Sequence, residues 1–340
     1  MSIPYRTRCA LKRMGTGLLI FLAISVLLFA FFLIWLDRFV VYTRDEGVVL
    51  DFDRPVTQLS GAVVSKPIIE NPISIYYNEG DNLVNTTTEL TRISGYYITG
   101  ADLEKDMEDV LNQVRQLPKG AAVMVDVKSI YGNFFYSSAI SDKRNGDLDI
   151  AQMDAFIQEL NKLGLYTIAR LPALRDYHYG LSHVADGLPT AGGYLWMDNY
   201  GCYWLNPASD GTQAYLTQIA LELRGLGFNE VLFYDFYFPD SGGKVVFRGD
   251  QTEALVSAAT TLIKTCATDT FAVSFTQAAS FPLPEGRARL YLENVSAIQA
   301  ANVAQQTGFE NPEIKAVFIT QVHDTRFDDF SVLRPISMVY

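Results

Sequence analysis

From about residue 94 onward, short apolar runs alternate with longer stretches whose apolar residues fall at helical spacing. Strands are predicted over 95–100, 121–127, 165–171, 230–236, 271–275, 289–294, 316–322 and 336–340. Helices are predicted over 101–117, 150–163, 212–226 and 252–265. In the first of these, Leu103, Met107, Val110, Leu111 and Val114 share one face; Gly164 and Gly227 close the second and third. Strands that are apolar along their whole length, separated by helices, imply a parallel sheet covered on both sides. Eight of them within 93–340 match an α/β fold of the (β/α)8 TIM-type barrel, typically about 250 residues long. The competing open, doubly wound sheet wants a glycine-rich turn after its first strand. Thr99-Gly100-Ala101-Asp102 lacks that pattern.

The barrel is preceded by an uncharged run over 15–36. At about 1.5 Å per residue, such a run crosses a bilayer core of about 30 Å as one helix. Arg6, Arg8, Lys12 and Arg13 lie before it, and Trp35 sits at its far end. The positive-inside rule then puts residues 1–14 in the cytoplasm and the remainder outside, in a single-pass membrane protein. A cleaved signal peptide has a shorter apolar stretch followed by small residues, whereas this run ends Phe31-Phe32-Leu33-Ile34-Trp35-Leu36. Residues 38–92 read as an extracytoplasmic connector with turn clusters and two β-like runs, 48–50 and 73–77.

The formal net charge of −11 disfavours a nucleic-acid partner bound through a broad basic surface. Three cysteines exclude a disulfide-built framework; Cys9 falls on the cytoplasmic side, and Cys202 and Cys266 are either one bridge or two small buried hydrophobes. Three histidines without a Cys/His cluster point away from a structural zinc site, and His178 and His183 read as loop residues. No cofactor fingerprint is present, so no cofactor is expected; no metal site is assigned, with a divalent cation held by carboxylates left as an open alternative.

In a barrel of this kind the chemistry gathers where strands end at their C-terminal side. Asp126 and Lys128 end the second strand, Arg170 the third, Asp235 the fourth and Glu293 the sixth. Period-two alternation puts Asp126 and Lys128 on the face of Ala122 and Met124, and Arg170 on that of Tyr166 and Ile168. A bland reading competes, in which Asp126, Lys128 and Arg170 only neutralise one another as a structural ion-pair network. Residues 172–211 form a long loop carrying Tyr177, Tyr179, Tyr194, Trp196, Tyr200, Tyr203 and Trp204. Its flat rings suit stacking on sugars, or a lid packed on itself.

Several pieces together resemble the bacterial glycosyl hydrolase domain family, whose members are (β/α)8 barrels related to amylase-type glycosidases. They are Tyr97-Ile98-Thr99-Gly100, Val125-Asp126-Val127-Lys128 with Gly132, Tyr166-Thr167-Ile168-Ala169-Arg170 with Arg175-Asp176, Trp204-Leu205-Asn206-Pro207, and the run from Leu226 to Pro239. The resemblance implies carboxylate acid/base chemistry on a glycan. It also exposes departures. Where the family's fourth strand reads F-D-Y-x-R-F-P, this chain reads Phe233-Tyr234-Asp235-Phe236-Tyr237-Phe238-Pro239, so the aspartate is displaced by one place and Tyr237 stands for arginine. A one-place shift along a strand reverses the face, so without a bulge Asp235 would point away from the mouth. Asn206 and Ser129-Ile130 stand where the family tends to carry acids.

The expectation is therefore a membrane-anchored, extracytoplasmic glycoside hydrolase-like protein acting on a cell-surface or environmental polysaccharide. Asp126 and Asp235 are its catalytic carboxylates; Lys128, Arg170, Tyr194, Trp196, Trp204, Tyr237 and Glu293 bind the substrate. The alternative is a catalytically silent carbohydrate-binding or cell-envelope scaffold on the same barrel, and a third is a purely structural membrane-associated protein.

Overall fold

The computed structural model describes residues 40–43, 47–50, 89–276 and 282–338. Strands β1 (Val40–Thr43) and β2 (Gly47–Leu50) pair antiparallel, Val40 opposite Leu50. The predicted run 48–50 lies in β2; the run 73–77 and the predicted membrane span 15–36 lie outside the described residues. Among the described residues no helix is long and apolar enough to cross a membrane. The strand pair and the barrel belong to two separate compact units.

The second unit is a closed, all-parallel barrel of eight strands. These are β3 (Ser94–Ile98), β4 (Ala122–Asp126), β5 (Tyr166–Pro172), β6 (Glu230–Tyr234), β7 (Ala272–Thr276), β8 (Leu290–Glu293), β9 (Ala316–Ile319) and β10 (Ser331–Pro335). The last, β10, pairs with both β9 and β3, which leaves no free edge and excludes the open sheet. Helices α1 (Gly100–Val114), α2 (Ile150–Lys162), α3 (Tyr177–Ser182), α4 (Asp210–Gly225), α5 (Gln251–Cys266), α6 (Ala300–Gln306) and α7 (Pro312–Lys315) occupy the connections. Local chemistry starts and stops them. Thr99 and Asp102 form a capping box on α1, and Asp149, Asp176, Ser209 and Asp250 cap α2, α3, α4 and α5. Gly164 and Gly227 take left-handed backbone at φ +68° and +95°, as the sequence implies.

The eighth strand is a correction. The sequence puts it over 336–340, yet β10 is Ser331–Pro335 and Ile336–Met338 is a 3-10 turn. Polar neighbours hide β10 from a reading based on hydrophobicity. Val332 and Leu333 are buried, and Ser331 satisfies its hydroxyl in place: it accepts from the Ile93 amide at 3.1 Å and donates to the Glu313 carbonyl at 3.0 Å.

Alternation divides the strand residues between two cores. Val123, Val125, Ala169, Leu171, Val231 and Phe233 face the helices, while Ala122, Met124, Ile168, Leu232, Tyr291, Val317 and Leu333 fill the barrel. Below them lies a polar floor. Glu230 and Arg289, both fully buried, form an ion pair; Tyr166 and Tyr291 donate to Glu230 at 2.8 Å each, and Arg289 donates to the Thr91 carbonyl at 2.8 Å. Complete pairing is what makes a charge pair tolerable in such an interior.

Candidate active site at the barrel mouth

The opposite end of the barrel carries Asp126, Tyr234 and Glu293, which close β4, β6 and β8, and Arg170, two residues before the end of β5. Register alone sets Asp126 beside Arg170. The guanidinium is the hub. Its Nη1 lies 3.0 Å from Asp126 Oδ1, its Nη2 lies 3.2 Å from Glu293 Oε1, and its plane sits 4.3 Å above the Tyr234 ring. Burial opposes the charge of Arg170; the Asp126 and Glu293 carboxylates overcome that penalty and raise its pKa. The other oxygen of Asp126 accepts from the Gly100 amide at 3.1 Å, at the start of α1. Of the two clamped carboxylates, Glu293 is the more open, 32% exposed against 17%.

Asp235 answers the face-reversal problem without a bulge. Strand β6 ends at Tyr234, which takes the inward position, and Asp235 follows in left-handed backbone at φ +52°. Asn294, immediately after Glu293, has φ +59°. Asp and Asn tolerate this conformation better than other side chains, yet it still costs on the order of 1–3 kcal/mol per site and concentrates at functional positions. Among the described residues these two are the non-glycine positive-φ positions, and each follows a mouth strand. Asp235 Oδ2 lies 3.7 Å from Arg175 Nη1, and Tyr237 hydrogen-bonds the carboxyl. Burial pushes the Asp235 pKa up; Arg175 and then Arg170 pull against it, and Glu293 adds to the rise. A carboxyl that senses Arg170 and Glu293 belongs electrostatically to the same mouth.

Arg175 is the residue that sequence reasoning noted only as part of a motif. It lies 2.6 Å from Asp198 Oδ2, with its guanidinium 4.6 Å from the Tyr200 ring centre and 5.8 Å from that of Trp204. Asp198 in turn accepts from the amides of Tyr200 and Cys202 and from the Trp204 indole at 3.0 Å. Asp198, Tyr200, Cys202 and Trp204 are close in sequence, but Arg175 lies well before them and Asp235 well after, so no spacing rule points to the cluster. For Arg175→Gln, the basic limb of any pH–activity profile is expected to move to higher pH, because removing a cation raises the pKa of Asp235 further. A pH series on wild type and variant reads this directly; an unmoved limb dissociates Arg175 from the titrating group.

The structure brings together Asp126, Arg170, Glu293 and Asp235, with Tyr237 on Asp235. It places Lys128 elsewhere. Strand β4 stops before it, and its ammonium is fully buried, 2.7 Å from the equally buried Asp176 and 3.3 Å from the Pro172 carbonyl. Asp126 and Arg170 do neutralise each other, but Lys128 has its own partner. Trp204 (3% exposed) and Trp196 (9%) pack 6.3 Å apart inside the loop, and Trp204 meets the Tyr237 ring at 5.1 Å. Tyr194 stands 79% exposed. Cys202 and Cys266 are both buried and free. His183 stacks on Tyr179 at 4.1 Å. Among the described residues no group of three His, Cys, Asp or Glu side chains is arranged to hold a metal ion.

A family model described as "Putative glycosyl hydrolase domain" matches residues 95–278, just over half of the chain. No curated protein matches the sequence. Among solved structures, the galactosidase domain of the α-galactosidase–sucrose kinase AgaSK is 9% identical with a TM-score of 0.51, covering 74% of this chain and 38% of that one. A hypothetical protein from Ruminiclostridium thermocellum is 20% identical, TM-score 0.45, covering 52% of this chain and 96% of that one. The glycoside hydrolase domain of PelA from Pseudomonas aeruginosa is 13% identical, TM-score 0.43, covering 73% and 96%. At these identities the likeness concerns the fold.

Proposed function

We propose that this chain, which belongs to the putative glycosyl hydrolase domain family, cleaves glycosidic bonds of a polysaccharide at its barrel mouth. The observation that carries the reading is the Asp235 carboxyl: partly buried, raised in pKa, held 3.7 Å from Arg175 after a left-handed turn, and near enough to Arg170 and Glu293 to feel both charges. Glycoside hydrolysis asks for two carboxyl groups in unlike environments, one holding its proton and one ionised. Asp235 is the proton donor to the departing sugar oxygen. Glu293, clamped by Arg170 yet the more open carboxylate, takes a proton from the water whose oxygen bonds to the anomeric carbon as that carbon's bond to the departing sugar oxygen breaks. Asp126 has both oxygens engaged, so here it fixes Arg170 and α1 rather than reacting.

The test is release of reducing ends by the purified full chain from a broad panel of cell-wall and environmental polysaccharides. Failure on the whole panel removes the reading. The non-cleaving glycan binder rests on a specific observation, that Tyr234 rather than an acid holds the inward position closing β6. It predicts binding without reducing ends.

The cellular setting follows from the sequence. The uncharged run over 15–36 with basic residues before it supports an anchor in the cell membrane, N-terminus cytoplasmic and barrel extracytoplasmic. Expressed in bacterial cells, the chain is expected to stay with the membrane pellet through alkaline carbonate washing. Deletion of 1–37 should release it, and a deletion form that stays in the pellet refutes the anchor.

A further inference from the structure

The two tryptophans with the flattest faces are packed away, so whatever contacts a glycan beyond the reacting bond must be found elsewhere. Two tyrosines on the rim have the right form. Tyr200 is 70% exposed and Tyr131 44%. Both are held in place. The Arg175 guanidinium lies 4.6 Å from the Tyr200 ring centre and covers one side of it, and the Tyr200 amide donates to Asp198 Oδ1 at 2.8 Å. The Tyr131 hydroxyl donates to the Tyr200 carbonyl at 3.4 Å, and the Tyr131 carbonyl accepts from the His178 amide at 3.1 Å. A ring pinned on one side and open on the other loses little conformational entropy when something stacks on it. The pair is also continuous with the mouth, because the guanidinium beneath Tyr200 is the one that reaches Asp235 at 3.7 Å.

We propose that Tyr131 and Tyr200 form an aromatic subsite that receives the sugar chain as it leaves the barrel mouth, with Arg175 as the rigid link to Asp235. The occupant is a glycan segment, whose apolar C–H faces pack on the rings while its hydroxyls meet the phenol oxygens and the surrounding water. This rests on the reading of the mouth as a glycan site and extends it to the part of the substrate that does not react. Tyr131 lies in the connection after β4 and Tyr200 in the long loop after β5, so the subsite needs those two segments packed together, as the Tyr131–Tyr200 hydrogen bond holds them.

The experiment is affinity electrophoresis of the full chain, in mild detergent, through native gels containing hydroxyethyl cellulose, galactomannan, xylan, glycogen or glycol chitosan. Wild type is expected to be retarded by at least one of them. Tyr200→Ala and Tyr131→Ala should each need about five- to tenfold more of that polymer for the same retardation. Tyr200→Phe, which keeps the ring, should behave as wild type. Tyr200 is largely solvent-facing and Tyr131 about half so, and matched circular dichroism melts check that the variants fold. Retardation by none of the five polymers, or undiminished retardation of Tyr200→Ala, overturns the subsite. Asp235→Asn separates the two readings. If it still releases reducing ends while Tyr200→Ala has lost retardation, the proton-donor assignment fails and the subsite stands. If it is inactive while Tyr200→Ala binds as wild type, the subsite falls and the mouth chemistry stands.

Discussion

Asp235→Asn is expected to lower the release of reducing ends by about a thousandfold, the scale of a lost general acid, and to raise the melting temperature on the alkaline side of the window in which Asp235 loses its proton. The two effects share one cause. Burial raises the pKa of Asp235 above the value it has in the unfolded chain. Between those two values the folded protein binds more protons than the unfolded one, so stability falls as pH rises through that window. Above that window the folded chain holds a partly buried carboxylate against that penalty, with a left-handed backbone besides. Asparagine removes the charge and keeps the conformation, since it too tolerates positive φ. The gain should shrink in acid, where the native aspartate is protonated as well. Thermal melts at several pH values, set beside activity, check both halves. Loss of activity with an equal loss of stability would instead mark Asp235 as structural.

Lys128→Met should destabilise the barrel by about 3–5 kcal/mol, the usual consequence of leaving one member of a buried ion pair without its counter-charge. Asp176 would be stranded at zero exposure, where it also accepts from Tyr215 Oη at 2.9 Å and caps α3 through the Tyr179 amide at 2.8 Å. The melting temperature is expected to drop by about 10 °C for a domain of this size. The double change Lys128→Met, Asp176→Asn should recover part of the loss, because asparagine keeps an acceptor for the helix cap without a charge. Denaturant melts of the three forms decide. A Lys128→Met protein that melts like wild type but binds glycan poorly would return Lys128 to the ligand.

Lys128 shows where sequence reading stopped. Alternation along β4 correctly assigns Ala122, Met124 and Asp126 to the barrel interior. It carries Lys128 along with them, but the strand ends at Asp126 and the period ends with it. Asp235 failed in the opposite direction. Counting places predicts a reversed side chain; a single left-handed residue after β6 turns the chain, and no residue type announces that torsion. Trp196 and Trp204 read as loop aromatics, whereas Trp204 meets Asp198 and Arg175, and Trp196 packs on Trp204, only in the folded loop.

Readable from the chain alone are the number of strands and the place of the first seven, the four long helices, and Asp126, Arg170 and Glu293 as charges at or near strand ends. These follow from apolar periodicity and capping chemistry, which act over a few neighbouring residues. The tertiary structure alone decided which charges meet. Arg170 chooses Asp126 and Glu293, Lys128 chooses Asp176, and Arg175 spans Asp198 and Asp235. Closing the barrel brings together strand ends that lie far apart along the chain, and the pairing of buried charges is a property of that closure rather than of any local pattern.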